Sequence, residues 1–228
     1  MMPRLFALLI LTFAIGGARL SFADERLDQP LPITIQIHDY WHVSSESLAH
    51  ACAVVTDMYR RIGVRTEWTG VVQQNEKHPG SAPRGGSILR LPIAQVTLII
   101  LTPKMAARGR VEEGALGFAA VPEEGMGRIA YAIYDRVRDT AARAAMNQDD
   151  LLGFVIAHEI AHLLLPRGAH VESGLMRGHW NVRDFQQIDV LKLGFSPEQV
   201  SEIRTTLLRN SPTVAMTATE SGSDVGGP

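Results

Sequence analysis

Apolar and polar positions alternate from Pro32 to Tyr40, with Ile33, Ile35 and Ile37 on one side. That period of two, carried by β-branched residues, predicts a strand with one buried face. From Glu46 to Arg61 the period lengthens: Leu48, Cys52, Val55, Met58, Tyr59 and Ile62 recur at three and four. An amphipathic helix follows, capped by Ser44 or Ser45 and closed by Gly63. Val64–Trp68 alternates again and predicts a second strand. The polar segment 73–86, with its glycines and prolines, has no periodicity and predicts a loop.

Gln95–Leu101 is rich in Val, Ile and Leu, as in a central strand buried on both faces, and Pro103 ends it. Gly114–Val121 is apolar but glycine-rich, which suits an edge strand or an ordinary hairpin partner. Gly125 and Gly127 mark a turn into a further strand, Arg128–Tyr134, and Thr140–Met146 follows as a short helix or loop. Leu151–Leu165 carries apolar residues over a wide surface and predicts a helix buried against the sheet, capped by Asn147, Asp149 or Asp150. Two more helices are expected, Asp184–Leu191 and Ser196–Leu208, the second opened by Ser196, Pro197 and Gln199. These elements predict an α/β (α+β) fold: a mixed, twisted sheet of about four to five strands on two long helices, with a small helical C-terminal subdomain.

Composition narrows the setting. With 46% hydrophobic residues, 228 residues suffice for one substantial core. Arg4, the apolar run Leu5–Ile15 and Ser21-Phe22-Ala23 predict a signal peptide over residues 1–23, cleaved after Ala23. The expected product is secreted or periplasmic, with a domain over 24–210, a Ser/Thr/Gly-rich disordered tail over 211–228, and no stable membrane insertion after cleavage. Cleavage removes two arginines and no acid, taking the formal charge from −2 to −4 and arguing against a nucleic-acid partner. Cys52 is the only cysteine, so no internal disulfide forms, and its helical spacing predicts a small buried residue.

Within the last long apolar run stands His158-Glu159-Ile160-Ala161-His162. Residues four apart share a helix face, so His158 and His162 can present two imidazoles to one metal ion. Glu159, one position round, reaches a metal-bound water without ligating the ion, the layout of metal-assisted hydrolysis. A zinc ion (Zn2+) with an open position needs a third protein ligand from beyond the helix end. His170 is the first candidate, because Pro166 stops the helix and Gly168 permits a turn back. Glu172, His179, Glu198 and Glu202 are the rivals. Ser173–Met176 is a small-residue turn carrying a methionine, and His179 and Trp180 are candidates for the cleft wall. His38, His42, His50 and His78 show no metal spacing among themselves.

HEIAH, a third histidine after a helix-breaking turn and then a turn with Met176 together resemble the metzincin clan of zinc peptidases. The resemblance implies a zincin fold in which His158, His162 and His170 bind one Zn2+ ion, Glu159 is the general base and Met176 forms the Met turn. It also implies an edge strand, around Gly117, Phe118 and Ala119, onto which an extended protein or peptide substrate adds. The chain departs from the clan pattern in having seven residues between the second and third histidines rather than five, and Leu165 where the pattern has glycine. A glutamate as third ligand would resemble the gluzincins instead. The expectation is a secreted zinc metallopeptidase; the alternative is an exported, non-catalytic module whose zinc is structural.

Overall fold

Leu31, Ile33, Ile35 and Ile37 are buried and the residues between them are half-buried, as the alternation predicts, along β1 (Leu31–Asp39). A computed structural model describes residues 30–70, 94–109, 111–123, 125–166, 169–178, 180 and 193–210. The signal segment 1–23, the loop 73–86, the helix expected over 184–191 and the tail 211–228 lie outside the described residues, as does His179.

Four more strands join β1: β2 (Val64–Gly70), β3 (Ala94–Leu101), β4 (Gly117–Ala120) and β5 (Ile129–Ile133), in the order β2-β1-β3-β5-β4. The first four in that order are parallel neighbours, and β4 runs antiparallel to β5 at the edge. The strand read as central, β3, is the middle of the five, and the glycine-rich segment is an edge strand. The fold is therefore mixed α/β, with five strands and five helices among the described residues.

Parallel neighbours need a crossover, and α1 (Ser45–Arg60) supplies the one between β1 and β2, with Ser44 accepting from Ser47 N–H at 3.1 Å. Gly63, at φ +71°, makes the turn into β2. After β3, Pro103 both ends the strand and opens a short helix, α2 (Pro103–Arg108), capped by Thr102. The strand pattern alone did not predict α2; proline's fixed φ suits a first helical turn as well as it bars a sheet interior. The last expected strand stops at Ile133, because Tyr134 begins α3 (Tyr134–Ala144). That helix replaces the short helix or loop expected over Thr140–Met146, and Ala145, at φ +52°, terminates it.

Helix α4 (Gln148–Leu164) is the buried centre of the fold, with 12 of its residues buried. Asn147 Oδ1 accepts from Asp149 and Asp150 N–H, and those two acids complement the positive end of the helix. At the other end Leu165 is extended (φ −102°, ψ 156°), as the clash with a following proline requires. Helices α1 and α4 touch closely at Gly153, where a Cβ would stand 2.7 Å from Val54 Cβ and 3.0 Å from Ala51 O. Tyr59, fully buried, donates to Ala157 O at 3.1 Å. These helices share the main core with Ile33, Ile35, Leu98 and Ile100, each fully buried and each contributing roughly 1.5–3 kcal/mol. Helix α5 (Pro197–Arg209) carries the capping box read from Ser196 and Gln199, and its Arg204 donates to Ile62 O and Gly63 O. No helix among the described residues is long and apolar enough to cross a membrane.

Candidate metal centre

The turn spacing of α4 brings His158 and His162 together, ring centroids 4.6 Å apart, on the face that lines a cleft of about 760 Å³. His170 arrives from beyond the helix end, its ring 4.6 Å from that of His162 and 5.4 Å from that of His158. His162 Nε2 lies 3.0 Å from His158 Nε2 and 2.9 Å from His170 Nε2. Among the described residues these three histidines form the one group of ligand atoms close enough to hold a metal ion. Glu172, Glu198 and Glu202 stay outside it, so of the described candidates His170 is the third member.

Hydrogen bonding tests whether a metal fits. His158 Nδ1 stands 2.8 Å from Leu175 O, and a carbonyl only accepts, so Nδ1 carries the hydrogen and Nε2 presents its lone pair to the meeting point. A neutral imidazole has one N–H, so a hydrogen on His162 Nε2 would serve one of its two neighbours and leave the other facing a lone pair. A tetrahedral ion with bonds of about 2.0–2.1 Å sets its ligand nitrogens about 3.3 Å apart, a few tenths of an ångström beyond these contacts. The donor set therefore fits a metal ion.

Burial favours the neutral form of the two rings on α4. It is the main cause holding the His158 pKa below its ordinary value, and it pushes His162 down to about 4, with the other two histidines adding to the effect. Neutral imidazole is the ligating form. Burial likewise pushes Glu159, 6% exposed, up to about 8. Its side chain lies against β4 at Gly117, where a Cβ would meet Glu159 Cγ.

The cleft has two walls. On one side are β4 and the loop before it, including Gly117, Phe118 and Ala119. Arg136 of α3 steadies that loop, one guanidinium nitrogen donating to Glu112 O at 2.6 Å and Ala115 O at 2.8 Å. On the other side are Leu175, Arg177, Gly178 and Trp180. Met176 is completely buried in the main core, and its carbonyl accepts from Val171 N–H at 2.9 Å, closing the loop that carries His170. Cys52 is buried in α1 and forms no part of this centre; its thiol is pushed up to about 12 by burial.

Three features of the centre leave little signal in the sequence. The Leu175 carbonyl that orients His158 is backbone and carries no side-chain signal. Gly178 packs on the His170 ring, and only the glycine punctuation of Ser173–Gly178 hints at it. Gln199, read as a helix-cap residue, also reaches the Ala169 carbonyl beside His170. No protein-family model matches this chain, and no curated protein matches it.

Proposed function

We propose that the chain is a zinc-dependent peptidase with a metzincin-like fold, exported from the cytoplasm, that hydrolyses peptide bonds in an extended substrate. The observation that carries this reading is the meeting of three imidazole Nε2 atoms in a cleft that Glu159 also lines. Bound by three neutral imidazoles, zinc supplies Lewis acidity that activates water near neutral pH and polarises a carbonyl. The chain's own residues do the rest. His158 and His162 hold their lone pairs on one helix face, and His170 completes the set from the returning loop. Glu159 takes the proton of the attacking water and delivers it to the leaving amine nitrogen as the C–N bond breaks. Its burial raises its affinity for that proton, while a cation at the histidines favours the ionised form needed to accept it.

Among the described residues strand β4 is paired on one side only, by β5, so its outer edge offers N–H and C=O groups to a substrate strand along the cleft. The antiparallel edge strand beside the histidine helix and the buried Met176 after His170 support the metzincin-like part of the reading. Export rests on the Arg4, Leu5–Ile15 and Ser21–Ala23 pattern.

Metal content by mass spectrometry, together with hydrolysis of a mixed peptide pool, tests the proposal on the wild type and on Glu159→Gln. We expect about one zinc per chain in both proteins and turnover in the wild type alone. A zinc-loaded wild type without turnover would instead assign the metal a structural role. Absence of bound zinc would end the metal reading altogether.

A further inference from the structure

His158 and His162 are held by a rigid helix, whereas His170 stands on a loop, exposed, one residue beyond Ala169. The Val171–Met176 hydrogen bond and the bridge between Val171 and Arg177 fix the backbone of that loop. They do not fix the ring, whose side-chain torsions stay free to choose among rotamers. Two neighbours limit that choice. Gly178 lies close beside the imidazole: a Cβ there would stand 3.1 Å from His170 Cγ and Nδ1 and 3.2 Å from His170 Cβ. Its φ is not in the left-handed region, unlike that of Gly174 at +79°, so the backbone at 178 does not call for glycine. Room for the ring is the remaining physical reason for it.

The second neighbour is on α5. Gln199 is 7% exposed, and its Oε1 accepts from Ser196 N–H at 2.9 Å as part of the helix cap. Its Nε2 then points away from the cap and donates to Ala169 O at 3.5 Å, one residue before His170. A buried amide has few alternatives to the partner it finds, so this long contact still favours one position of the carbonyl. Helix α5 thereby reaches the loop of the third histidine.

We propose that Gly178 and Gln199 are positioning residues for His170, holding its imidazole at the Nε2 meeting point before any metal arrives. The inference rests on the metal-centre reading above and extends it to residues that touch no metal. Groups that orient a ligand in this way typically carry a tenfold to hundredfold share of metal affinity, because a ring already in place need not be ordered on binding.

The test is the zinc affinity of the full chain, measured by competition with a chromophoric chelator. Gly178→Val and Gln199→Met are each made in the wild type and in a His170→Ala background. In the wild type each should weaken zinc binding by about tenfold or more. With His170 replaced, neither should weaken it further, because each acts only through that ring. Undiminished affinity in both single variants overturns the inference, and so does an equal loss when His170 is absent, which would mark a general loosening of the fold. Gly178→Ala, one added carbon rather than three, keeps the test open if the valine variant does not fold. A His170→Ala protein that binds zinc as tightly as the wild type, or a wild type that binds none, sinks the metal centre itself and this inference with it.

Discussion

Gly117 and Glu159 compete for one space: a Cβ at 117 would lie 2.7 Å from Glu159 Cγ and 2.9 Å from its Oε1. The edge strand can therefore pass the carboxylate only where it has no side chain. The same Cβ would also lie 2.7 Å from Tyr131 O, so an alanine here must shift both the glutamate and the β4 backbone paired with β5.

Two substitutions at this contact should separate chemistry from metal binding. Glu159→Gln should keep bound zinc and lose about a hundredfold to ten-thousandfold of the hydrolytic rate. Gly117→Ala should also keep zinc, and it should lose about a hundredfold through misplacement of the carboxylate. Zinc stoichiometry measured beside initial rates checks both. Full activity in Gly117→Ala would show that the contact is slack.

Gly153 gives a test in which local and tertiary physics disagree in sign. Alanine in mid-helix is favoured over glycine by about 1 kcal/mol, so α4 in isolation should gain. In the folded chain the added carbon meets Val54 at 2.7 Å and Ala51 O at 3.0 Å, and overpacking costs roughly 1–3 kcal/mol. We expect Gly153→Ala to lower Tm by a few degrees, at about 2–4 °C per kcal/mol. A raised Tm would mean that α1 and α4 separate more easily than their contact implies.

The pH dependence of the chelator-treated protein follows from three shifted groups. His158 and His162 are both held below 6.5, so each contributes stability that is present above pH 6.5 and is lost as pH falls, for His162 through about 4. Glu159 is raised from 4.5 to about 8, so its contribution is present below pH 4.5 and is lost as pH rises through 8. Below about pH 6.5 the histidines and Glu159 act in opposite senses; above it Glu159 alone of the three acts, and stability falls as pH rises through 8. Urea midpoints should fall from about pH 6.5 to 8.5. The alkaline fall should shrink in Glu159→Gln, and an unchanged fall would assign it to other groups.

Cys52 should be chemically silent in the native protein. Burial raises its thiol from 9 to about 12, so at pH 8 it is both protonated and covered. A chromogenic disulfide reagent should react with no thiol in buffer and with about one per chain in denaturant. Because a folded-state pKa above the unfolded value favours folding below pH 9, that contribution should fade as pH rises from 9 through 12. Reaction in buffer at the denatured rate would contradict the burial.

Much of this fold is local and could be read directly. The alternation of Ile33, Ile35 and Ile37, the caps at Ser44, Asn147 and Ser196, and the four-residue step from His158 to His162 depend on backbone geometry within a turn or two. Helix α2 escaped because Pro103 serves equally as the end of a strand and the start of a helix. The start of α3 escaped because Tyr134 is as much at home in a strand as in the first turn of a helix.

By itself, then, the sequence determined the type of nearly every described element and the pair of imidazoles on one helix face, since a helix sets the direction of residue i+4 from residue i without outside help. Long-range packing was needed to place β4 beside Glu159 as the last strand among the described residues, to set Leu175 O against His158 and so select its tautomer, and to bring His170 rather than Glu172 to the other two rings. Those outcomes bring together residues 8 to 42 positions apart in the chain, at contacts made by backbone carbonyls and glycines. Such groups carry no side-chain pattern, and the packing of whole elements sets where they meet.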